Sequence, residues 1–322
     1  MTPEPLGGFR AVGRKLLVLS SYEDPHWPRA SGWLTGSSFE TTVGSLGVVG
    51  APLNCSISPG RCDLAPQAVR KAMHRLSTYD IESDVDAMLV ACKDFGDLQI
   101  ADMKPEDALA PISAAVAEAL SECSAAVLLG GDNGITRPAM HGLGVPLSRC
   151  GLVTLDQHLD LRTLESGLIN GNPVRALLDD GLPGKNIAQV GISSFANSAE
   201  YKKLADDAGI TVVTMDTVHE IGIDASIEGA LDAVADKVDV IYFDLDVDVL
   251  DRAFAPACPG ARPGGLSPAE VKRAAFLMGC HPKVKAMDLV EVDPELDVND
   301  TTCLATGMFL LSFACGLVER LR

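Results

Sequence analysis

Apolar and polar positions along this chain alternate between two rhythms. Short, nearly continuous apolar runs occupy Ser45 to Val49, Ala125 to Leu129, Gly151 to Leu155, Ile187 to Ile192, Thr211 to Met215, Val238 to Asp246 and Val284 to Val292. Runs of that length, rich in Val, Ile, Leu and Ala, predict strands buried on both faces. Apolar residues at helical spacing predict helices over Pro66 to Leu76, Ala108 to Ser121, Pro173 to Leu178, Ala199 to Ala208, Ile227 to Asp236 and Pro268 to Met278, and a long final helix from about Thr302 to Leu321. Strands and helices that alternate through short connections are the signature of a parallel sheet with crossover helices on both faces. No Pro/Ser-rich linker, charge block or internal repeat divides the 322 residues, so one domain spanning 1–322 is expected.

Composition sharpens this picture. Hydrophobic residues make up 47% and aromatics only 5%, so the core must be built from small and branched aliphatic side chains. The formal charge of -18 argues against nucleic acid or an anionic membrane surface as partner, since both repel such a chain at long range. A small substrate feels the local site instead. Nine cysteines are scattered without a CxxC pair, which predicts reduced thiols in a cytoplasmic protein. The longest apolar candidate, GMFLLSFACGLV, falls short of a membrane span, and the opening MTPEPLGGFRAVGRK lacks the apolar centre of a secretion signal.

Chemistry concentrates at two strand ends. Asp156, His158 and Asp160 lie in LVTLDQHLDLR, and Asp244, Asp246 and Asp248 in VIYFDLDVDVLD. Alternate residues of an extended chain point the same way, so each set aims its side chains at one spot. Carboxylates converging there repel one another unless a cation lies between them. Oxygen ligands with one imidazole suit Mn²⁺ or a similar first-row ion. Solvated strand ends are the plain alternative, but a DxHxD and a DxDxxD together at apolar strand ends weigh against it. Ligand sites in open α/β sheets form beyond the carboxyl ends of strands, where both clusters fall.

Three further segments, LLGGDNGIT (128–136), APACPGARPGGL (255–266) and DLVEVDP (288–294), extend the constellation, with ISPGRCDLAPQAVR (57–70) and DFGDL (94–98) upstream. Together these motifs resemble the ureohydrolase family, which includes arginases, agmatinases and formimidoylglutamases. The resemblance implies a three-layer α/β/α sandwich around a mainly parallel sheet (the arginase-like fold), a centre of two Mn²⁺ ions, and attack by a metal-bridging hydroxide on an amidine-type carbon. It further implies a homo-oligomer, trimer or hexamer. Carried over position by position, Asp156 and Asp246 bridge the two metals, Asp160 and Asn133 complete the first, and His158 and Asp248 complete the second. Asp246, Asp248 and Asp251 satisfy the DxDxxD pattern, which leaves Asp244 behind the ligands. Asn133 stands where the family commonly has the His of GGDH, and its amide offers only a neutral carbonyl oxygen, so three outcomes stay open for the first site: weak loading, preference for a harder ion, or work with one tightly held metal at the other. Asp160 is the proton acceptor and donor, and Glu291 holds the cationic amidine.

The substrate is read from the loops. Arginases have a neutral Asn at the position of Arg162 and a proton-shuttling His at that of Asn170. A cation at 162 implies a carboxylate on the substrate, and the DxR, NGxPxR and CP elements resemble formimidoylglutamases. N-formimino-L-glutamate, with its two carboxylates and formamidine group, is therefore the expected substrate. Arg162 is the first candidate for carboxylate contact, with Asn170, Arg175 and Arg262 also on the substrate side. A guanidino acid hydrolase or an agmatinase is the alternative, although Arg162 opposes the dication agmatine. A metal-binding relative without activity is a third reading, against which Asp160 and Glu291 weigh. Arg61 is expected near the mouth of the site, Cys258 is not expected to act as a nucleophile, and Asp132 is expected to hydrogen-bond within its own turn.

Overall fold

Strands without a polar face are stable only when both sides are covered. The computed structural model, which describes Asp24, residues 26–58 and residues 60–322, covers them. The opening segment read for a secretion signal lies outside these described residues. The strands are β1 (Gly44–Ala51), β2 (Tyr79–Asp80), β3 (Val85–Asp86), β4 (Val90–Asp97), β5 (Ala125–Gly130), β6 (Cys150–Leu155), β7 (Ile187–Ile192), β8 (Thr211–Thr214), β9 (Val240–Asp246) and β10 (Val284–Val290). Eight of them form one parallel sheet in the order β4-β1-β5-β10-β9-β6-β7-β8, while β2 and β3 pair as a separate antiparallel hairpin.

Successive side chains in the strands feed opposite layers. In β5, Ala125, Val127 and Leu129 enter one core and Ala126 and Leu128 the other. On the first side pack α1 (Ala30–Leu34), α2 (Ala65–Ala72), α7 (Met215–Ile221), α8 (Ile223–Ala235), α9 (Pro268–Cys280) and α10 (Thr301–Leu321). The second side carries α3 (Pro105–Glu122), α4 (Thr136–His141), α5 (Pro173–Asp179) and α6 (Ala199–Ala208). This is the expected three-layer sandwich.

Several expectations shift. The strand starting at Thr211 stops at Thr214, because the Thr214 side chain accepts from the Thr217 backbone and caps α7. Helix α8 starts at Ile223, four residues before the expected Ile227. Strand β4 has no counterpart among the expected strands: its sequence VACKDFGD is an edge with polar positions, tied to α2 by Arg70, which binds Asp94 at 2.7 Å and Asp97 at 2.5 Å. The final helix does reach membrane-spanning length, with a mean hydropathy of 1.8, but 83% of that stretch is buried, as in a core helix. All nine cysteines are unpaired.

Candidate metal centre and substrate cleft

The four motif strands are neighbours at the middle of the sheet, in the order β5-β10-β9-β6. Their carboxyl ends deliver Asn133, Glu291, Asp246 and Asp156 to one place. Two local devices repeat there: Asp156 Oδ1 accepts from the His158 backbone at 2.6 Å, and Asp246 Oδ1 accepts from the Asp248 backbone at 2.7 Å. Each turns its loop sharply just past the strand, as Asx turns do. Gln157 then joins the two loops, its backbone donating to Asp248 Oδ1 at 3.1 Å and its side chain to the Asp248 carbonyl at 2.6 Å. Asn197 brackets the same loop, accepting from the Leu159 backbone at 2.8 Å and donating to the Gln157 carbonyl at 2.9 Å. Neither Gln157 nor Asn197 stands out in the sequence, because their partners are backbone atoms that only the fold brings close.

A cleft of about 320 Å³ opens above this floor. His158, Asp160, Asp246, Asp248 and Glu291 line its depth, and Arg162, Asn170 and Arg262 line its walls. Asp156 lies buried beneath. His158 Nδ1 is 2.7 Å from Asp248 Oδ2 and 3.5 Å from Asp156 Oδ1. Ligand atoms of these three residues all fall within 4.8 Å of one another, a spacing that can hold a metal ion.

The electrostatics fit the same group. Burial, then the charge of Asp248, pushes Asp156 up to about 7, and burial with the charge of Asp156 and other carboxylates pushes Asp160 well above the usual carboxylate range. Asp246 rises likewise through burial and Asp248. Asp248 stays low despite burial because His158 faces it. Against burial, Asp248 and Asp156 draw His158 up to about 11, yet Arg262 Nη1 sits 2.6 Å from His158 Nε2. A guanidinium only donates, so that contact leaves the lone pair on Nε2 in the metal-free ring, and a cation at Nδ1 would move the ring's proton to Nε2 and turn Arg262 away from it. Buried, mutually repelling carboxylates of this kind are relieved when a divalent cation lies among them.

Glu291 is held by its neighbours. Its Oε1 accepts from the Asn133 backbone and from Asn170 Nδ2, both at 2.9 Å, and burial with the nearby charge of Asp132 raises it to about 8. Gly131 makes this possible: a Cβ there would lie 2.1 Å from the Leu53 carbonyl, and the Gly131 carbonyl accepts the Glu291 backbone N–H at 3.0 Å. Asp132 closes its own turn as expected, accepting from the Gly134 and Cys55 backbones. Asp244 sits opposite Asp288 across β9 and β10, behind the ligands, and neither of its oxygens has a donor. Tyr242 at 2.8 Å and Thr136 at 2.9 Å donate to Asp288, while burial and the charge of Asp288 push Asp244 well above the usual carboxylate range.

Some expected roles change. The Asn133 amide lies between Thr136 Oγ1, 2.7 Å away, and Asp160. With the one Thr136 proton given to Asp288, Thr136 can accept from the amide NH₂, and the Asn133 carbonyl oxygen then faces Asp160 and the expected metal. Asn170 is committed to Glu291, to Ser56 Oγ at 3.0 Å and to the Ile57 backbone at 3.0 Å, which makes it a support for Glu291 more than a free substrate contact. Arg175 does not line the cleft: it sits on α5 with Nε 3.7 Å from Asp179, one helical turn on. Arg61 likewise faces Asp63 in a two-pronged contact outside the cleft. Cys258 is buried, and burial pushes its thiol up, consistent with an inert group. Arg162, by contrast, is exposed on the cleft wall and its guanidinium has no hydrogen bond or ion pair among the described residues.

Residues 45–315 match the model of the arginase family. The formimidoylglutamase of Halalkalibacterium halodurans is 36% identical over 279 residues, covering 85% of this chain and 88% of that protein. The crystal structure of formimidoylglutamase from Bacillus subtilis superposes with a TM-score of 0.85 at 31% identity, covering 96% of each chain. A formiminoglutamase from Trypanosoma cruzi, crystallised with Mn²⁺, shares the fold with a TM-score of 0.80 at 24% identity, over 91% of this chain and 99% of that one.

Proposed function

The chain belongs to the arginase family, and we propose that it hydrolyses N-formimino-L-glutamate to L-glutamate and formamide. One observation carries this reading: the guanidinium of Arg162, unpaired among the described residues, stands on the wall of a cleft whose floor is anionic. Such a site suits a substrate that is cationic at its amidine and anionic at its other end. The formimidoylglutamases among the relatives support the same substrate.

In this reading Asp156 and Asp246 would help hold both of two divalent cations, Asp160 one of them, and His158 Nδ1 with Asp248 the other. The oxygen-rich set with one imidazole favours Mn²⁺, the ion present in the Trypanosoma cruzi structure. When bound, such cations make water a nucleophile at neutral pH. Glu291 receives the N–H groups of the amidine on the oxygen that Asn133 and Asn170 leave free. Asp160, ionised once it holds a cation, would take the proton of the attacking water and pass it to the nitrogen that departs as the α-amine of glutamate. Arg162 holds a carboxylate and so fixes the distance between the anchored tail and the reacting carbon.

The test is a substrate panel on Mn²⁺-reconstituted protein: formiminoglutamate, arginine, agmatine and guanidinobutyrate. Formamide and glutamate released from the first alone is the expected result. Urea released from guanidinobutyrate moves the assignment to a guanidino acid hydrolase, and turnover of none with Mn²⁺ bound leaves a metal-binding protein without this activity.

A further inference from the structure

Among the described residues two guanidiniums line the cleft, and they stand at unequal depth. Arg262 is the inner one: its Nη1 lies 2.6 Å from His158 Nε2 and 2.9 Å from the Gly260 carbonyl, beside the predicted metal ligands. Its Nε and Nη2 make no hydrogen bond to the described residues, and these two atoms form the edge that grips a carboxylate side-on. Arg162 is the outer one. Its side chain runs over Gly171, where a Cβ would lie 2.8 Å from Arg162 Cδ, next to Ile57, itself 49% exposed at the rim. The remaining candidate cation, Arg175, faces Asp179.

The substrate proposed above carries its two carboxylates at unequal distance from the reacting carbon. Only the amine nitrogen and the α-carbon separate the α-carboxylate from the amidine carbon, whereas two more methylenes separate the side-chain carboxylate. With the amidine on Glu291, the α-carboxylate must sit deep and the other must reach outward. Resting on that reading of the reaction, we propose that Arg262 binds the α-carboxylate and Arg162 the side-chain carboxylate, so that the pair selects an N-formimino amino acid by the spacing of its two anions. Arg262 thereby sets the α-carboxylate beside His158, and Arg162 sets chain length.

The experiment is a substrate-by-variant cycle on Mn²⁺-loaded protein. N-formimino-4-aminobutyrate lacks the α-carboxylate and N-formimino-L-2-aminobutyrate lacks the side-chain carboxylate. Wild-type protein should prefer N-formimino-L-glutamate to either by roughly ten- to hundred-fold in kcat/KM, the worth of a charge-assisted hydrogen bond. Arg162→Met should erase the preference over the 2-aminobutyrate compound and keep that over the 4-aminobutyrate compound; Arg262→Met should do the reverse. Arg262→Lys should restore part of the lost preference. Calorimetric binding of L-glutamate, 4-aminobutyrate and L-2-aminobutyrate should follow the same crossed pattern. Disturbance of His158 alone lowers all three substrates together, so preferences that fall in parallel, or do not cross, overturn the assignment. Absence of formiminoglutamate turnover by wild type overturns the reaction itself, and crossed binding of the three amines would still stand apart from that failure.

Discussion

Asp160 and Glu291 have left-handed backbones, with φ of 51° and 66°, a region that residues with a Cβ seldom occupy. Each is over-determined by its surroundings: the Asp160 carbonyl accepts from the Arg175 backbone at 3.1 Å, and the Glu291 N–H is held by Gly131. Strain of this kind, costing about 1–3 kcal/mol per residue, gathers where a side chain must be aimed. Arg175, expected to touch substrate, thus contributes through its backbone. Asn133 is the other residue whose role turns on orientation. Replacing it by His supplies an imidazole in place of an amide, and Asn133→His should tighten the weaker of two Mn²⁺ sites by roughly ten-fold, read by metal titration. Unchanged affinity would mean that position 133 does not coordinate. Residue types and spacing were sufficient to single out Asp156, His158, Asp160, Asp246 and Asp248, because strand periodicity fixes where such side chains point. The direction of the Asn133 amide and of the Arg175 side chain depends on Thr136 and Asp179, whose proximity is set by packing.

At the level of elements, the central strands read clearly because an apolar run has few other solutions. The edge did not, since β4 carries Lys93, Asp94 and Asp97 and is stabilised by Arg70 across the layer. Helices α9 and α10 meet through two glycines. A Cβ on Gly316 would lie 2.1 Å from the Phe276 carbonyl, and one on Gly279 would lie 2.3 Å from that of Phe313. Both obstacles are backbone, which cannot swing aside. Gly316→Ala should therefore force the helices apart and destabilise the protein by about 1–3 kcal/mol, seen as a lower midpoint in urea unfolding. An unchanged midpoint would show that α10 shifts without loss. The same packing explains why a helix apolar enough to span a membrane serves as a core element.

For the whole molecule, the buried acids tie stability to pH and to metal. Burial raises Asp156 from 3.8 to about 7 and Glu291 from 4.5 to about 8. Groups with raised folded pKa values favour the folded state below their unfolded values and lose that advantage as pH rises through the folded ones. Chelator-treated protein should accordingly lose thermal stability between about pH 4 and pH 8, and Mn²⁺ should raise Tm more at pH 8 than at pH 6. A Tm that is flat with pH, or a Mn²⁺ effect equal at both, would contradict the assigned burial of charge. The sequence by itself determined the alternating architecture, the strand ends that gather the acidic clusters and the chemical character of the candidate ligand set, since each follows from local periodicity and residue type. Tertiary structure alone decided that β5, β10, β9 and β6 lie side by side, that Gln157 and Asn197 lock the ligand loops, and that Arg162 and Arg262 face the cleft while Arg175 and Arg61 face acids elsewhere. Those outcomes depend on contacts between residues far apart in the chain, where no local spacing carries the information.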